Sequence, residues 1–235
     1  MDDRPLAERV IEVRRRVIAA CDRAGRDPGD VRIVAVSKTH PIEAVAEAMR
    51  EGIEEFGENR TDELVEKALA ADAAGLTPVW HFVGHLQRNK ARDTVPHIDT
   101  LHSLDSVRLI QEIEQRWPDA EQGQPAHAGD RLPCYLEVNV AGEAQKHGVS
   151  PQDLPALLEA ARASSVLRVD GLMTLAPQVR DPEDARPVFH ALRRLAEEHG
   201  LTGLSMGMTD DFEVAIEEGA TVIRIGRAIF GDRIA

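Results

Sequence analysis

Short β-branched runs alternate with amphipathic helical stretches along nearly the whole sequence, and that rhythm leaves few folds open. Val31 to Ser37 reads VRIVAVS between Gly29-Asp30 and Pro41, which predicts a buried strand. Val79 to Val83, Cys134 to Val140, Leu167 to Met173 and Thr221 to Ile225 read the same way. Weaker strands fall near Glu54 to Phe56, Thr100 to His102 and Gly203 to Met206. Helical periodicity covers Pro41 to Glu51, Asn59 to Ala73, Gln87 to Val95, Ser106 to Trp117, Pro151 to Ala163, Glu183 to His199 and Asp211 to Glu218, with a short terminal helix after Gly226. An extra N-terminal helix is marked by Leu6, Val10, Val13, Val17, Ala20 and Cys21 on one face, with Gly25 as its stop. Asp119 to Arg131, rich in Gly, Pro and polar residues, predicts a surface loop. Eight strand–helix units in 235 residues imply a parallel sheet closed into a single (β/α)8 TIM-type barrel domain spanning 1–235. The alternative is an open doubly wound sheet, which the lack of a GxGxxG after the first strand disfavours.

Charge narrows the partners. Acidic residues outnumber basic ones 41 to 28, for a formal charge of −13. That field repels phosphate backbones and anionic membranes, so neither a nucleic-acid nor a membrane role is expected. Cys21 and Cys134 lie far apart with no CxxC partner, which points to buried thiols. The charged N-terminal stretch has no apolar signal region and no segment has membrane-spanning length, so the expected compartment is the cytoplasm.

In a barrel of this kind, function sits at the C-terminal ends of the strands. The first strand ends on Ser37-Lys38. By strand parity Lys38 shares a face with Val34 and Val36, so an inward Val34 brings Lys38 to the barrel mouth. Partial burial lowers an ammonium's pKa and makes a neutral amine able to attack a carbonyl. The alternative is a lysine that pairs with an acid such as Glu58. Across the mouth, the loops after strands seven and eight read SMGMTDD and RIGRAIFG. Gly207 and Gly226 would let backbone N–H groups approach an anion, Ser205 and Thr209 offer hydroxyls, and Arg227 adds charge. Equally, the glycines serve tight turns and Thr209 caps a helix. Arg224 shares its face with Val222 and points inward, either toward a ligand or into an ion pair with Glu137. His81 and His85, four apart, straddle a strand end and a glycine, so no metal pair is expected of them. Glu54, Glu55 and Glu58 read as a solvated edge. Asn139 ends strand five facing inward, to hydrogen-bond a ligand or to satisfy loop backbone.

AVSKTHP (Ala35 to Pro41), FGENR (Phe56 to Arg60), WHFVGHLQRNK (Trp80 to Lys90), HSLDS (His102 to Ser106), EVNVAGEAQKHG (Glu137 to Gly148), GLMTLAP (Gly171 to Pro177), SMGMTDD (Ser205 to Asp211) and IRIGRAIFG (Ile223 to Gly231) occur in that order. The set resembles the pyridoxal 5′-phosphate (PLP) homeostasis family, whose fold is that of the alanine racemase N-terminal domain. The resemblance implies PLP as cofactor, held as a Schiff base on Lys38. It implies a phosphate gripped by Ser205, Gly207, Thr209, Gly226 and Arg227, with Arg224 at the pyridine nitrogen and Asn59 near the cofactor. It further implies a monomeric PLP reservoir or carrier in vitamin B6 balance, with apo PLP-dependent enzymes as partners and no catalytic residues of its own. Four motifs depart from the commonest family pattern: His40 replaces a lysine, Arg60 a tyrosine, Thr209 a serine, and GPLQSNK becomes GHLQRNK.

Two other functions share these features. An amino-acid racemase would need a second base across the cofactor. The one tyrosine, Tyr135, lies four residues below Asn139, roughly 13 Å down the strand. A Schiff-base aldolase would use a barrel lysine and a phosphate grip with nearby acid–base partners, for which Glu58 and Asp105 are candidates.

Overall fold

The computed structural model describes residues 4–122, 131–143 and 145–232, with side chains of the helix at 107–122 described up to Trp117. Eight parallel strands close into a barrel in sequence order: β1 Arg32–Val36, β2 Glu55–Glu58, β3 Val79–Phe82, β4 Thr100–Leu104, β5 Leu132–Glu137, β6 Leu167–Met173, β7 Gly203–Ser205 and β8 Val222–Ile225. Closure is made by β8 on β1, with Val34 opposite Arg224. The helices are α1 Leu6–Ala24, α2 Ile42–Arg50, α3 Thr61–Ala73, α4 Ala91–Thr94, α5 Val107–Gln122, α6 Leu154–Ala163, α7 Arg186–Glu198, α8 Phe212–Glu217 and α9 Arg227–Phe230. The expected TIM-type barrel is therefore the observed fold.

Two apolar layers follow from strand parity. Ala35, Phe56, Phe82, Leu136 and Ile223 face outward into the main core beneath the helices. Val34, Tyr135, Met173 and Val222 face the barrel axis, with Val83 and Leu175 packed on them. Gly57 sits among the interior valines; a Cβ there would lie 3.0 Å from Val34 and 3.2 Å from Val36. Much of the remaining interior is polar, so this barrel holds a hydrogen-bonded column along its axis as well as packed apolar side chains.

Helix α1 buries the same six residues that its periodicity marks, Leu6, Val10, Val13, Val17, Ala20 and Cys21. It ends at Gly25 in the left-handed region, where Gly25 and Arg26 N–H groups cap the carbonyls of Asp22 and Cys21. The helix locks onto the closing elements: Arg9 donates to the Ile229 carbonyl at 2.7 Å, and Arg16 stacks over the Phe212 ring and pairs with Glu213 at 2.6 Å.

Three local expectations change. The helix expected at Gln87 to Val95 is broken into two short 3-10 turns, Arg88–Lys90 and Val95–His97, around four-residue α4. Pro96 supplies no N–H and its ring blocks continuation. Residues 119–122 of the loop expected from Asp119 to Arg131 belong instead to α5, which continues to Gln122; 123–130 lie outside the described residues. Strand five ends at Glu137, and Val138 makes only an isolated bridge to Val149. Among the described helices none is long and apolar enough to cross a membrane.

Candidate functional site

At the C-terminal end of the barrel a cavity of about 670 Å³ is lined by Lys38, Asn59, Thr209, Arg224, Gly226 and Arg227, six of the eight residues singled out from sequence. Val36 and Val83 form its apolar side and His40 borders it. The other two singled-out residues, Ser205 and Gly207, lie in the wall behind it.

Lys38 occupies a turn in which the His40 N–H donates to the Ser37 carbonyl at 3.0 Å. The third residue, Thr39, has φ 66°, the one positive φ at a non-glycine among the described residues. A β-branched residue there costs about 1–2 kcal/mol, so neighbours must impose it. They do: the Thr39 N–H donates to Glu63 at 2.9 Å, and Lys67 Nζ reaches the Ser37 carbonyl at 2.8 Å. Lys67 also pairs with Glu58 at 2.5 Å, and the Ser37 hydroxyl donates to the same carboxylate oxygen at 2.6 Å. Glu58 is fully buried, and burial raises its pKa against the pull of Lys67. The solvated-edge expectation therefore fails for Glu58. It points outward from β2, but α3 covers it, and Lys67 is its partner. Only Glu54 of the three acids is exposed.

Behind the cavity, Arg224 is 4% exposed. Its Nη1 donates to Ser205 Oγ at 2.6 Å and its Nη2 to the Thr174 carbonyl at 2.9 Å. Burial lowers its pKa to about 10, which leaves it charged at neutral pH. Glu137 influences it through its charge, but the side-chain hydrogen bonds of Arg224 go to Ser205 and Thr174.

Ser205 opens the column that sequence reasoning misses. Its hydroxyl lies 2.7 Å from His102 Nδ1, and His102 Nε2 lies 2.9 Å from His81 Nδ1. His81 Nε2 lies 3.2 Å from Glu55. Arginine only donates, so Ser205 Oγ accepts from Arg224 and its own proton is available to His102. Burial, reinforced by His81 and Arg224, holds His102 well below the usual histidine range. The neutral ring accepts at Nδ1 and donates from Nε2, an orientation assigned from the network. All donors then run one way, from Arg224 down toward the barrel floor. Tyr135 stacks on His102 at 4.7 Å and its hydroxyl accepts from Arg32, the first residue of β1, at 2.9 Å. The tyrosine thus faces the floor and not the cavity. His81 and His85 do not pair: His81 points into the barrel, while His85 lies beyond Gly84 at the mouth.

The loops after β7 and β8 meet on the far wall. Gly207 has φ 93°, and a Cβ there would come 2.6 Å from Ala215, so the chain requires glycine. Its carbonyl accepts from the Arg224 N–H at 3.0 Å. The Ala228 N–H reaches the Thr209 hydroxyl at 3.4 Å, and Arg227 pairs with Asp210. Asn139 spends its amide on the Glu143 carbonyl at 2.8 Å, the loop-satisfying role.

With this geometry in view, likeness to known proteins is informative. The family described as "Alanine racemase, N-terminal domain" matches residues 13–234. The "Pyridoxal phosphate homeostasis protein" of Pseudomonas aeruginosa is 42% identical over 230 residues, covering 97% of this chain and 96% of that protein. Its namesake from Aquifex aeolicus is 40% identical over 232 residues, covering 96% and 97%. The structure of PipY from Synechococcus elongatus with PLP bound superposes with a TM-score of 0.79 at 32% identity, over 97% of this chain and 100% of that one. A Clostridium difficile alanine racemase shares the fold alone, with a TM-score of 0.67, 12% identity and 57% of its own length covered. The near-complete coverage of both chains, over a barrel whose mouth gathers Lys38 and Arg224, places this chain in the pyridoxal phosphate homeostasis protein family.

Proposed function

We propose that the chain binds PLP in the cavity at the barrel mouth and acts as a PLP reservoir or carrier in intracellular vitamin B6 homeostasis. The observation that carries this reading is that Lys38 and Arg224 line one cavity together with Thr209, Gly226 and Arg227. PLP supplies an aldehyde, a phosphate and a pyridine nitrogen, and the cavity offers a group for each. Lys38 Nζ holds the aldehyde carbon as a reversible Schiff base, on a turn fixed by Glu63 and Lys67. Thr209, the backbone about Gly207 and Gly226, and Arg227 receive the phosphate, the last exchanging its bond to Asp210. Ser205 contributes one layer down, as the acceptor that orients Arg224. Asn59 borders the ring.

Arg224 donates toward the ring nitrogen and, staying charged, leaves that nitrogen without a proton. An unprotonated ring is a weak electron sink, which suits storage rather than turnover. No residue is proposed as catalytic. The racemase alternative needs a second base, and Tyr135 is committed to Arg32 at the floor. The chain is further proposed to act as a cytoplasmic monomer that releases PLP to apo-enzymes, a point read by size-exclusion and by transfer to an apo-transaminase.

Borohydride reduction of the purified protein should trap PLP on one peptide carrying Lys38, and Lys38→Ala should lose the visible absorption band. A band retained by Lys38→Ala overturns the assignment. Deuterium exchange at the α-carbon of amino acids should not exceed that with free PLP; fast exchange would favour the racemase reading.

A further inference from the structure

A second group of ligating side chains gathers on the opposite arc of the mouth from the β7 and β8 loops. His85 follows β3, Asp105 follows β4 and His147 lies in the loop after β5, so three consecutive loops each contribute one. Their ligand atoms all lie within 4.8 Å of one another. His85 Nδ1 is 3.1 Å from an Asp105 oxygen. The two imidazoles are stacked in parallel, 3.7 Å apart and 7° from coplanar, so one ring must turn out of the stack for both nitrogens to face one ion. Four-coordinate zinc, with bonds of about 2.0–2.1 Å, needs donor atoms about 3.3 Å apart. One pair already meets that spacing.

A second observation points to a cation. Glu137 is 4% exposed on β5, and its Oε2 is buried without a hydrogen-bond partner. Glu137 and Asp105 interact through their charges. The donor set decides the class: two imidazole nitrogens and one carboxylate suit zinc, nickel or copper, whereas calcium and magnesium demand oxygen ligands.

We propose that His85, Asp105 and His147 bind one divalent transition-metal ion of the zinc class, with a coordination position left open to solvent or to an anionic ligand. The site is independent of the PLP assignment, since none of its three ligands lines the Lys38 cavity. It borders that cavity through Asn59, which shares a cleft with His85.

The test is calorimetric titration of the full-length protein, as purified and cleared of adventitious metal by a chelator, with Zn(II). One equivalent should bind with a Kd on the order of micromolar. His85→Ala and His147→Ala should each weaken it at least ~10-fold, and Arg88→Ala on the neighbouring cleft should not. Zn(II) should also shift the imidazole NMR signals of His85 and His147 in the unsubstituted protein while leaving those of buried His81 and His102 in place, a readout that survives if a variant fails to fold. The absence of one-equivalent binding, its persistence in the His85→Ala/His147→Ala double variant, or unmoved His85 and His147 signals would overturn the proposal.

Discussion

Arg224 Nη1 and Ser205 Oγ, 2.6 Å apart in the barrel interior, share one proton donated by the guanidinium, and this fixes the serine as an acceptor. Every tautomer below it follows. Ser205→Ala therefore leaves a buried N–H of Arg224 and the His102 Nδ1 without partners. The expected cost is about 1–3 kcal/mol, measured as a lower urea midpoint of the PLP-free protein. PLP affinity should fall as well, because Arg224 loses an anchor.

Lys67 and Glu58 form a buried pair whose members also hold the Lys38 turn. Lys67→Met should destabilise the protein by roughly 3–5 kcal/mol by leaving an uncompensated buried carboxylate. The double variant Lys67→Met/Glu58→Gln should recover part of that loss in thermal melts. If the single variant melts like wild type, the pair is not what holds the turn.

Glu137 gives a pH signature. Burial first and the charge of Asp105 second push its carboxyl up to about 7. The folded state thus holds this proton more tightly than the unfolded chain. Its contribution to stability is complete below the ordinary carboxyl range and is lost as pH rises through about 7. Relative to Glu137→Gln, the wild type should lose up to about 3 kcal/mol between pH ~5 and pH ~8 in denaturation series. Parallel pH profiles of the two proteins would refute this.

Gly207 tests the far wall. Gly207→Ala must adopt φ 93° with its Cβ 2.6 Å from Ala215. Strain and overlap together should cost more than about 1 kcal/mol, visible as a lowered melting temperature, and should displace the Arg224 N–H that its carbonyl binds.

Inward-facing residues were legible where period-two burial is a local property of one strand. Val34 and Val36 announce the inward face of β1, and Val222 does the same for Arg224, so two ends of the cavity follow from short stretches of sequence. The column could not be read this way. His81, His102 and Ser205 come from β3, β4 and β7, and only barrel closure brings them within hydrogen-bonding distance. The four-residue spacing of His81 and His85 carries no trace of this, because consecutive strand and loop positions diverge. Glu58 was opaque for a similar reason: an acid at a strand end looks solvated until α3 lays Lys67 across it. The one sequence clue was Lys67 itself, a lysine on the helix face that also carries Leu64, Ala68 and Ala71 into the core.

The pairing of Val34 with Arg224 joins strands from opposite ends of the described chain. During synthesis, β1 and Lys38 leave the ribosome well before the loops at Thr209 and Gly226. A nascent chain therefore displays the Lys38 side chain with no opposing wall until those loops have emerged. The cavity is completed only when β8 docks on β1 and α1 clasps Phe212 and Ile229.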